Sequence, residues 1–243
     1  MAMNSTGFFA YPLGYLIQQP TYECDFRAGV SIEDQLKLCD AKSICAKDAR
    51  ITGWSVDWDS EKSLHNWQDK LDLMCVPSWK VGLLGTCLFV GWASTLLWLP
   101  SFGDKYGRKK VFAICMSLNL LMYTVMMVTH SLDVMLVSVF IQGALNSVRV
   151  NIGYLYLLEM MPKHLQTSVG TIWGISDAAT YLFATLYFWK VSKDWFYFVL
   201  FGYFLNLISA IGAWFLPESP RYLLSMGKID ELKDVMQIVA DTN

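Results

Sequence analysis

Charged residues are scarce in this chain: Asp, Glu, Lys and Arg make up 16% of 243 residues, against about 25% in an ordinary soluble domain. The formal net charge is −2, so the basic excess that a nucleic-acid binder turns toward phosphate is missing. No nucleic-acid partner is expected. There is no Gly-rich phosphate loop, no His-Glu-x-x-His and no Gly-x-Ser-x-Gly, the arrangements that would announce phosphate, zinc or nucleophile chemistry. Enzymatic activity, a resident metal and a cofactor therefore have no foothold. The start of the chain lacks the basic region and small-residue cleavage site of a signal peptide.

What the chain has instead is apolar and aromatic mass. Hydrophobic residues reach 54%, with 10 Trp, 12 Tyr and 14 Phe, and the mean hydropathy is +0.35. One soluble core of this size could not hide so much apolar surface. Five runs, 79–99, 111–128, 134–158, 166–189 and 195–216, approach or exceed the roughly 20 residues that cross a hydrocarbon layer. Deep within them the only charges are Arg149 and Asp177. Buried core helices of a soluble all-α protein are the alternative, but five consecutive runs of this length are foreign to such folds. The expectation is an all-α transmembrane bundle with the lipid bilayer as its first partner. Residues 7–17 are apolar but too short to span, and read as the outer part of a truncated first membrane helix. The chain then divides into a partial first helix (1–19), a polar cysteine-containing loop (20–78), helices two to six (79–216) and a terminal motif with an amphipathic helix (217–243).

Cysteine placement and the distribution of Lys and Arg give the expected orientation. Cys24, Cys39, Cys45 and Cys75 share the polar loop, whereas Cys87 and Cys115 lie within spans. Zinc would favour Cys-x-x-Cys pairs, and none is present, so two disulfides on an oxidising face are expected, with three pairings open. The break at 102–110 holds Lys105, Arg108, Lys109 and Lys110, the break at 129–133 holds no basic residue, and Arg221, Lys228 and Lys233 follow the last span. Short cytoplasmic loops carry the basic excess, which puts 102–110, 159–165 and the tail inside and the cysteine loop outside. Along 227–240, Ile229, Leu232, Val235, Met236 and Val239 recur at helical spacing, as in a helix lying on a membrane surface. A frayed chain end is the plainer alternative.

Three motifs sit at the ends of these runs. The first is Gly103-Asp104-Lys105-Tyr106-Gly107-Arg108-Lys109-Lys110, which resembles the signature loop of the major facilitator superfamily, with Pro100 where the family has its first glycine. That departure bears on a close helix contact in the family. The second, Pro217-Glu218-Ser219-Pro220-Arg221-Tyr222-Leu223-Leu224, resembles the Pro-Glu-Ser-Pro-Arg signature of sugar porters and organic ion transporters. The third, Glu159-Met160-Met161-Pro162, resembles the family's Glu-x-x-Pro-x-x-x-Arg, with Gln166 in place of the arginine. The long cysteine-containing loop and Leu71-Asp72-Leu73-Met74-Cys75 are similar to the organic cation/anion/carnitine transporter group. The resemblance covers nearly the whole chain and implies the N-terminal six-helix half of a major facilitator fold, partnered by a C-terminal half. It implies secondary active or facilitative transport of a small organic solute, charged or neutral, by alternating access. Asp104, Arg108, Glu159, Glu218 and Arg221 would form a cytoplasmic gating network. A sugar transporter, or a non-transporting half-carrier that binds a partner or lipid, are the alternatives.

The substrate-cavity candidates come from spacing alone. Gln142, Asn146, Arg149, Gly153 and Tyr156 recur at intervals of four and three, one face of a helix. Arg149 lies ten residues from Glu159 and Asp177 eleven from Gln166, about 15 Å along each helix, near the midplane where such carriers bind their substrates. Either Arg149 and Asp177 form a structural pair, or Arg149 meets an anionic group on the solute. Gly170, Gly174 and Ala178 form a small-residue ridge, read as a helix-packing face. The sequon Asn4-Ser5-Thr6 falls in the partial helix and is not expected to carry glycan.

Overall fold

The computed structural model describes residues 5–242, so Asn4 of the sequon lies outside the described residues. The chain opens with two helical turns, α1 (Gly7–Ala10) and α2 (Leu13–Leu16). Pro12 divides them, because its ring nitrogen has no hydrogen to extend the ladder of α1. Their apolar side chains are core. Phe9 packs against Trp67 and Tyr123, and Phe8 sits among Phe183, Phe198 and Phe201. Phe8 presses so closely on Gly202 that a Cβ there would lie 2.5 Å from the Cβ of Phe8.

The polar loop folds into a small lobe that contains strands, which the sequence reading did not expect although Tyr22-Glu23-Cys24-Asp25-Phe26 alternates apolar and polar residues. Strand β1 (Tyr22–Phe26) leads to α3 (Ile32–Leu38), α4 (Ala41–Cys45), β2 (Ile51–Val56) and α5 (Trp67–Lys70). The strands pair antiparallel with Tyr22 opposite Val56 and Cys24 opposite Trp54. Ser31, Asp40 and Asn66 cap the three helices by accepting from backbone N–H groups, which satisfies donors that a helix start leaves free. All four loop cysteines pair, as Cys24–Cys39 and Cys45–Cys75, with Cα separations of 5.7 and 5.4 Å. The first bond ties β1 to the end of α3, and the second ties α4 to the segment that enters the membrane.

The lobe is fastened to the bundle by backbone. His65 donates its N–H to the Lys193 carbonyl at 3.0 Å, and its own carbonyl accepts from Trp195 at 3.1 Å. Lys193 Nζ donates to the carbonyls of Trp58 and Ser60, both at 2.8 Å. Lys70 Nζ donates to the carbonyls of Met126 and Met127 at 2.9 and 2.8 Å and lies 4.8 Å from the Trp195 ring centroid. It thereby serves free carbonyls that a helix end leaves behind. Burial pulls the Lys70 ammonium from 10.5 down to about 8. A lysine depressed in the folded state binds fewer protons there than in the unfolded chain, so its penalty is relieved as pH rises from about 8 toward its ordinary value. Unfolding of the lobe should therefore show a stability increment between about pH 8 and 10.5 that Lys70→Met abolishes, measured by fluorescence-detected denaturation at stepped pH. A wild-type profile identical to that of Lys70→Met would contradict it.

The remaining elements are α6 (Ser78–Leu96), α7 (Leu99–Tyr106), α8 (Arg108–Val128), α9 (Leu132–Val148), α10 (Tyr154–Glu159), α11 (Lys163–Leu186), α12 (Trp195–Phe215), α13 (Pro220–Ser225) and α14 (Ile229–Thr242). Single π-helical turns, Arg149–Gly153 and Tyr187–Val191, join α9 to α10 and extend α11. Four segments, Ser78–Leu96, Arg108–Val128, Leu132–Glu159 and Trp195–Ser225, are long and apolar enough to cross a membrane. α11 matches the remaining expected span and has the length, 24 residues, but its Thr, Ser, Gly and Asp177 make it less apolar. The run expected at 79–99 ends early, because α7 starts at Leu99 with a proline in its first turn. The basic break at 102–110 is thus a helix, a glycine and a helix start rather than a loop. Phe89, Leu97, Val137, Phe204, Ile208 and Phe215 are exposed, a surface suited to lipid and hostile to water.

The central helix is the α9–α10 run, 61% buried against 28–33% for the other three apolar spans. Its tightest neighbour is α6. A Cβ on Gly91 would lie 2.1 Å from the Phe140 carbonyl oxygen, and one on Gly143 would lie 2.0 Å from that of Leu88. Thr95 Oγ1 donates across the same seam to Ala144 at 3.0 Å. Small residues let helix backbones touch where lipid supplies no hydrophobic drive. On the small-residue ridge of α11, Gly174 faces open space, and the nearest atoms to Gly170 belong to the Tyr154 side chain rather than to a helix backbone. A buried amide pair, Asn206 Nδ2 donating to Asn119 Oδ1 at 2.5 Å, ties α12 to α8.

Candidate functional site

Two polar constellations stand out, one at the charged end of the bundle and one within it. The charged end starts from Gly107, whose φ of +99° turns α7 into α8. Only glycine takes that backbone region without strain. A Cβ there would also lie 2.5 Å from Glu218 Oε2. The turn brings Arg108 inside, where it is buried and bridges Asp104 Oδ1 at 3.0 Å and Glu159. Glu159 Oε2 accepts from Ser219 Oγ at 2.5 Å, and Arg221 reaches Glu159 Oε1 at 3.9 Å. Glu218 Oε1 accepts from the backbone of Lys109 at 2.9 Å, at the first turn of α8, where a carboxylate is favoured by the helix dipole. The five residues expected to form a charge network therefore come together around Glu159 and Glu218. Gln166, which stands where the resembled motif has arginine, donates to the Leu158 carbonyl at 2.9 Å. It caps the end of α10 as a neutral group and leaves Glu159 to Arg108. Gly107→Ala should lower stability by about 1–3 kcal/mol through strain and the Glu218 clash. A thermal midpoint equal to wild type would show that the turn tolerates a side chain.

The inner constellation gathers α1, α9 and α11. Asn146 Oδ1 accepts from Arg149 Nε at 3.0 Å, from Arg149 Nη2 at 2.6 Å and from Thr6 Oγ1 at 3.2 Å. Arg149 is only 6% exposed, and its Nη1 has no hydrogen-bond partner among the described residues. Gln142 is likewise buried, with both side-chain polar atoms unpartnered among the described residues. Asp177, half-buried on α11, accepts from the Tyr11 hydroxyl. Asp177, Tyr11 and Tyr123 all lie within electrostatic reach of Arg149, yet the ion pairs among the described residues do not include one between Arg149 and Asp177. Tyr11 stands as the partner of Asp177, and Asn146 as that of Arg149.

The stripe proposed from spacing splits in space. Gln142, Asn146 and Arg149 stay together, and the π turn that begins at Arg149 is a distortion that recurs at functional sites. Tyr156 belongs to the other constellation: its hydroxyl donates to the Pro217 carbonyl, and its ring stacks on Phe112. Four partners escaped the sequence reading. Thr6 and Tyr11 lie in a segment too short to read as a span, Tyr123 is one aromatic among many, and Ser219 was a cap within a motif. A hydroxyl-bearing residue amid an apolar run was the only signal available.

A lipid-facing helical bundle whose charged end joins a Gly-Asp-x-x-Gly-Arg-type turn, a helix-terminal glutamate and a Pro-Glu-Ser-Pro-Arg segment defines the N-terminal half of a major facilitator protein, a multi-pass membrane protein. The chain belongs to the sugar (and other) transporter family, whose model matches residues 27–242. It is 29% identical over 186 residues to synaptic vesicle glycoprotein 2B of Rattus norvegicus, covering 70% of this chain and 27% of that protein. Synaptic vesicle glycoprotein 2C of Homo sapiens is 30% identical over 185 residues, covering 70% of this chain and 25% of its own length. Solute carrier family 22 member 2 of Rattus norvegicus is 24% identical over 174 residues, 72% of this chain and 31% of that protein. The chain thus matches between a quarter and a third of the length of these curated relatives.

Proposed function

We propose that this chain is the N-terminal half of a secondary active or facilitative carrier for small organic solutes, of the organic-ion type, working by alternating access with a C-terminal half. The observation that carries the reading is the Glu159-centred network, which clamps the α7–α8 turn, the end of α10 and the start of α13 to one another. Such a clamp holds one end of a bundle closed and can be released when the partner half moves, as rocking transporters require. The basic residues of 102–110 support a cytoplasmic position for this end, and the two disulfides support an oxidising, outer face for the lobe. The solute would meet the Tyr11–Asp177 edge of the inner constellation, the half-buried side, while Arg149 and Gln142 support it from behind. A sugar as the solute has less support, because the disulfide-bonded lobe sits with the organic-ion group.

The test is uptake into vesicles holding this chain together with a C-terminal six-helix half, with labelled tetraethylammonium, para-aminohippurate, carnitine and glucose. Saturable uptake of one of the organic ions, lost in Glu159→Gln, is expected. Glucose uptake without organic-ion uptake would overturn the solute class. No uptake of any of the four, with both halves assembled at the surface, would favour a non-transporting half-carrier that binds a partner or lipid.

A further inference from the structure

The lobe carries a pocket that the transport reading does not use. A cavity of about 100 Å³ opens between the hairpin and α5, lined among others by Tyr22, Trp54, Trp58, Gln68, Asp69 and Asp72. The strand register explains the aromatic wall. Cys24 faces Trp54 and Tyr22 faces Val56 across the pair, and side chains two apart share a face, so Tyr22 and Trp54 line the same side. Their rings meet edge-on with centroids 6.0 Å apart. Trp58 is backed by His65, stacked at 4.1 Å and 22°, which fixes its orientation. Although they belong to a folded lobe, Trp54 and Trp58 remain 49% and 39% exposed.

The polar lining has one sign. Asp69 and Asp72 are exposed at the cavity, Asp72 held there by a backbone φ of +50°, and among the described residues no Lys or Arg lines it. Lys70, between them in sequence, points away to Met126, Met127 and the Trp195 ring. Gln68 is the telling residue. It is 5% exposed, and its Nε2 donates to the Ile17 carbonyl at 2.9 Å. Its Oε1 is left buried with no hydrogen-bond partner among the described residues. A buried acceptor without a donor is unfavourable by roughly 1–3 kcal/mol, and a ligand that donates relieves it. The uncommitted groups of Gln68, Asp69 and Asp72 are all acceptors.

We infer that the lobe binds a small organic ammonium ion, with its cationic head against Trp54, Trp58 and Tyr22 and its charge met by Asp69 and Asp72. Aromatic faces attract alkylammonium ions through the ring quadrupole. An inorganic divalent cation would want six or more oxygens, which two carboxylates and one amide do not supply. A sugar ring would need more room than this cavity offers, which is only about three waters' worth of space. The size suits a trimethylammonium head, and a hydroxyl on its short arm, rather than the head itself, would donate to Gln68 Oε1. This site lies on the lobe, apart from the inner constellation, and does not rest on the transport reading.

The experiment uses the chain in lipid nanodiscs, labelled with 5-fluorotryptophan and titrated with choline while ¹⁹F resonances are followed. Of the 10 tryptophans, those assigned to Trp54 and Trp58 by Trp54→Phe and Trp58→Phe should shift together, with a Kd on the order of a millimolar. Asp69→Asn with Asp72→Asn should weaken binding about tenfold, and Trp54→Phe by about threefold. The phenylalanine variants preserve an aromatic wall, and the assigned shifts read the site directly even if an alanine variant fails to fold. Equal shifts with 3,3-dimethylbutan-1-ol, the uncharged isostere, would overturn the proposal in favour of a plain apolar slot. So would shifts by glucose in place of choline, or choline binding that leaves both resonances unmoved.

Discussion

Glu159→Gln should be the most damaging single change at the charged end, lowering stability by about 3–5 kcal/mol, the usual effect of stranding a buried charge by removing its partner. Arg108 is buried and meets two carboxylates, but the Asp104 side chain is 70% exposed and so offers little compensation. Glu159 also accepts from Ser219 and faces Arg221, so the same change loosens the start of α13. Thermal unfolding of the purified chain in detergent reads the loss. Arg108→Met combined with Glu159→Leu removes both charges and should recover most of it; a double mutant equal to the sum of the singles would show that the two do not interact. Asp104→Asn should be mild in the same assay, within about 1 kcal/mol, as exposed pairs are. On the proposed carrier reading, its effect should appear instead in the conformational balance of the two assembled halves, away from the outward-open state. Unchanged labelling of a cysteine probe in the outer cavity would count against that.

Asn146→Leu should be the most damaging change at the inner constellation, because it removes the acceptor for two of Arg149's nitrogens and for Thr6. Charge-assisted hydrogen bonds are worth about 1.5–3 kcal/mol each, and loss of both leaves a cation in a poor dielectric. Membrane expression and thermal midpoint should fall sharply. Arg149→Met in the Asn146→Leu background should restore both, since the stranded charge is gone. Asp177→Asn should be much milder for folding than Asn146→Leu, because an amide oxygen still accepts from Tyr11. Sequence spacing alone would predict the reverse pattern, with Asp177 and Arg149 each stranding the other. If Asp177→Asn proves as destructive as Asn146→Leu, and Arg149→Met rescues it, the direct pair is right and the Asn146-centred arrangement is wrong.

The helical bundle was legible because its spans are set by one quantity, apolar length, which survives without any knowledge of neighbours. The charge network was legible because its motifs sit at helix ends, where Gly107 and Pro220 punctuate the chain. The inner constellation was only half legible. Depth follows from counting residues, and counting put Arg149 and Asp177 at a similar level. Rotation about the helix axis decides who touches whom, and the π turn at Arg149 shifts that rotation for everything after it. That is why Tyr156 parted from Gln142 and Asn146. The strands of the lobe were hidden for another reason. Tyr22–Phe26 and Ile51–Val56 are short and 25 residues or more apart, so nothing local in the chain announces that they pair. The touching helix seam was missed because Gly91 and Gly143 are lone glycines on separate helices, while of the conspicuous glycines of α11 Gly174 faces open space and Gly170 meets the Tyr154 side chain.

The lobe's attachments have a mechanical meaning. It is bolted to the chain between α11 and α12 through His65, Lys193 and Trp195, to the end of α8 through Lys70, and to the base of α6 through the Cys45–Cys75 bond. Those anchors all belong to this one half. A cap held at three points has no hinge of its own, so it cannot flap over a cavity like a lid. If the two halves rock, the lobe swings with this one as a rigid pointer, its tip sweeping farther than any helix end. A fluorophore placed on the hairpin, or an antibody fragment gripping it, would then report or arrest the tilt of the whole half from outside the membrane.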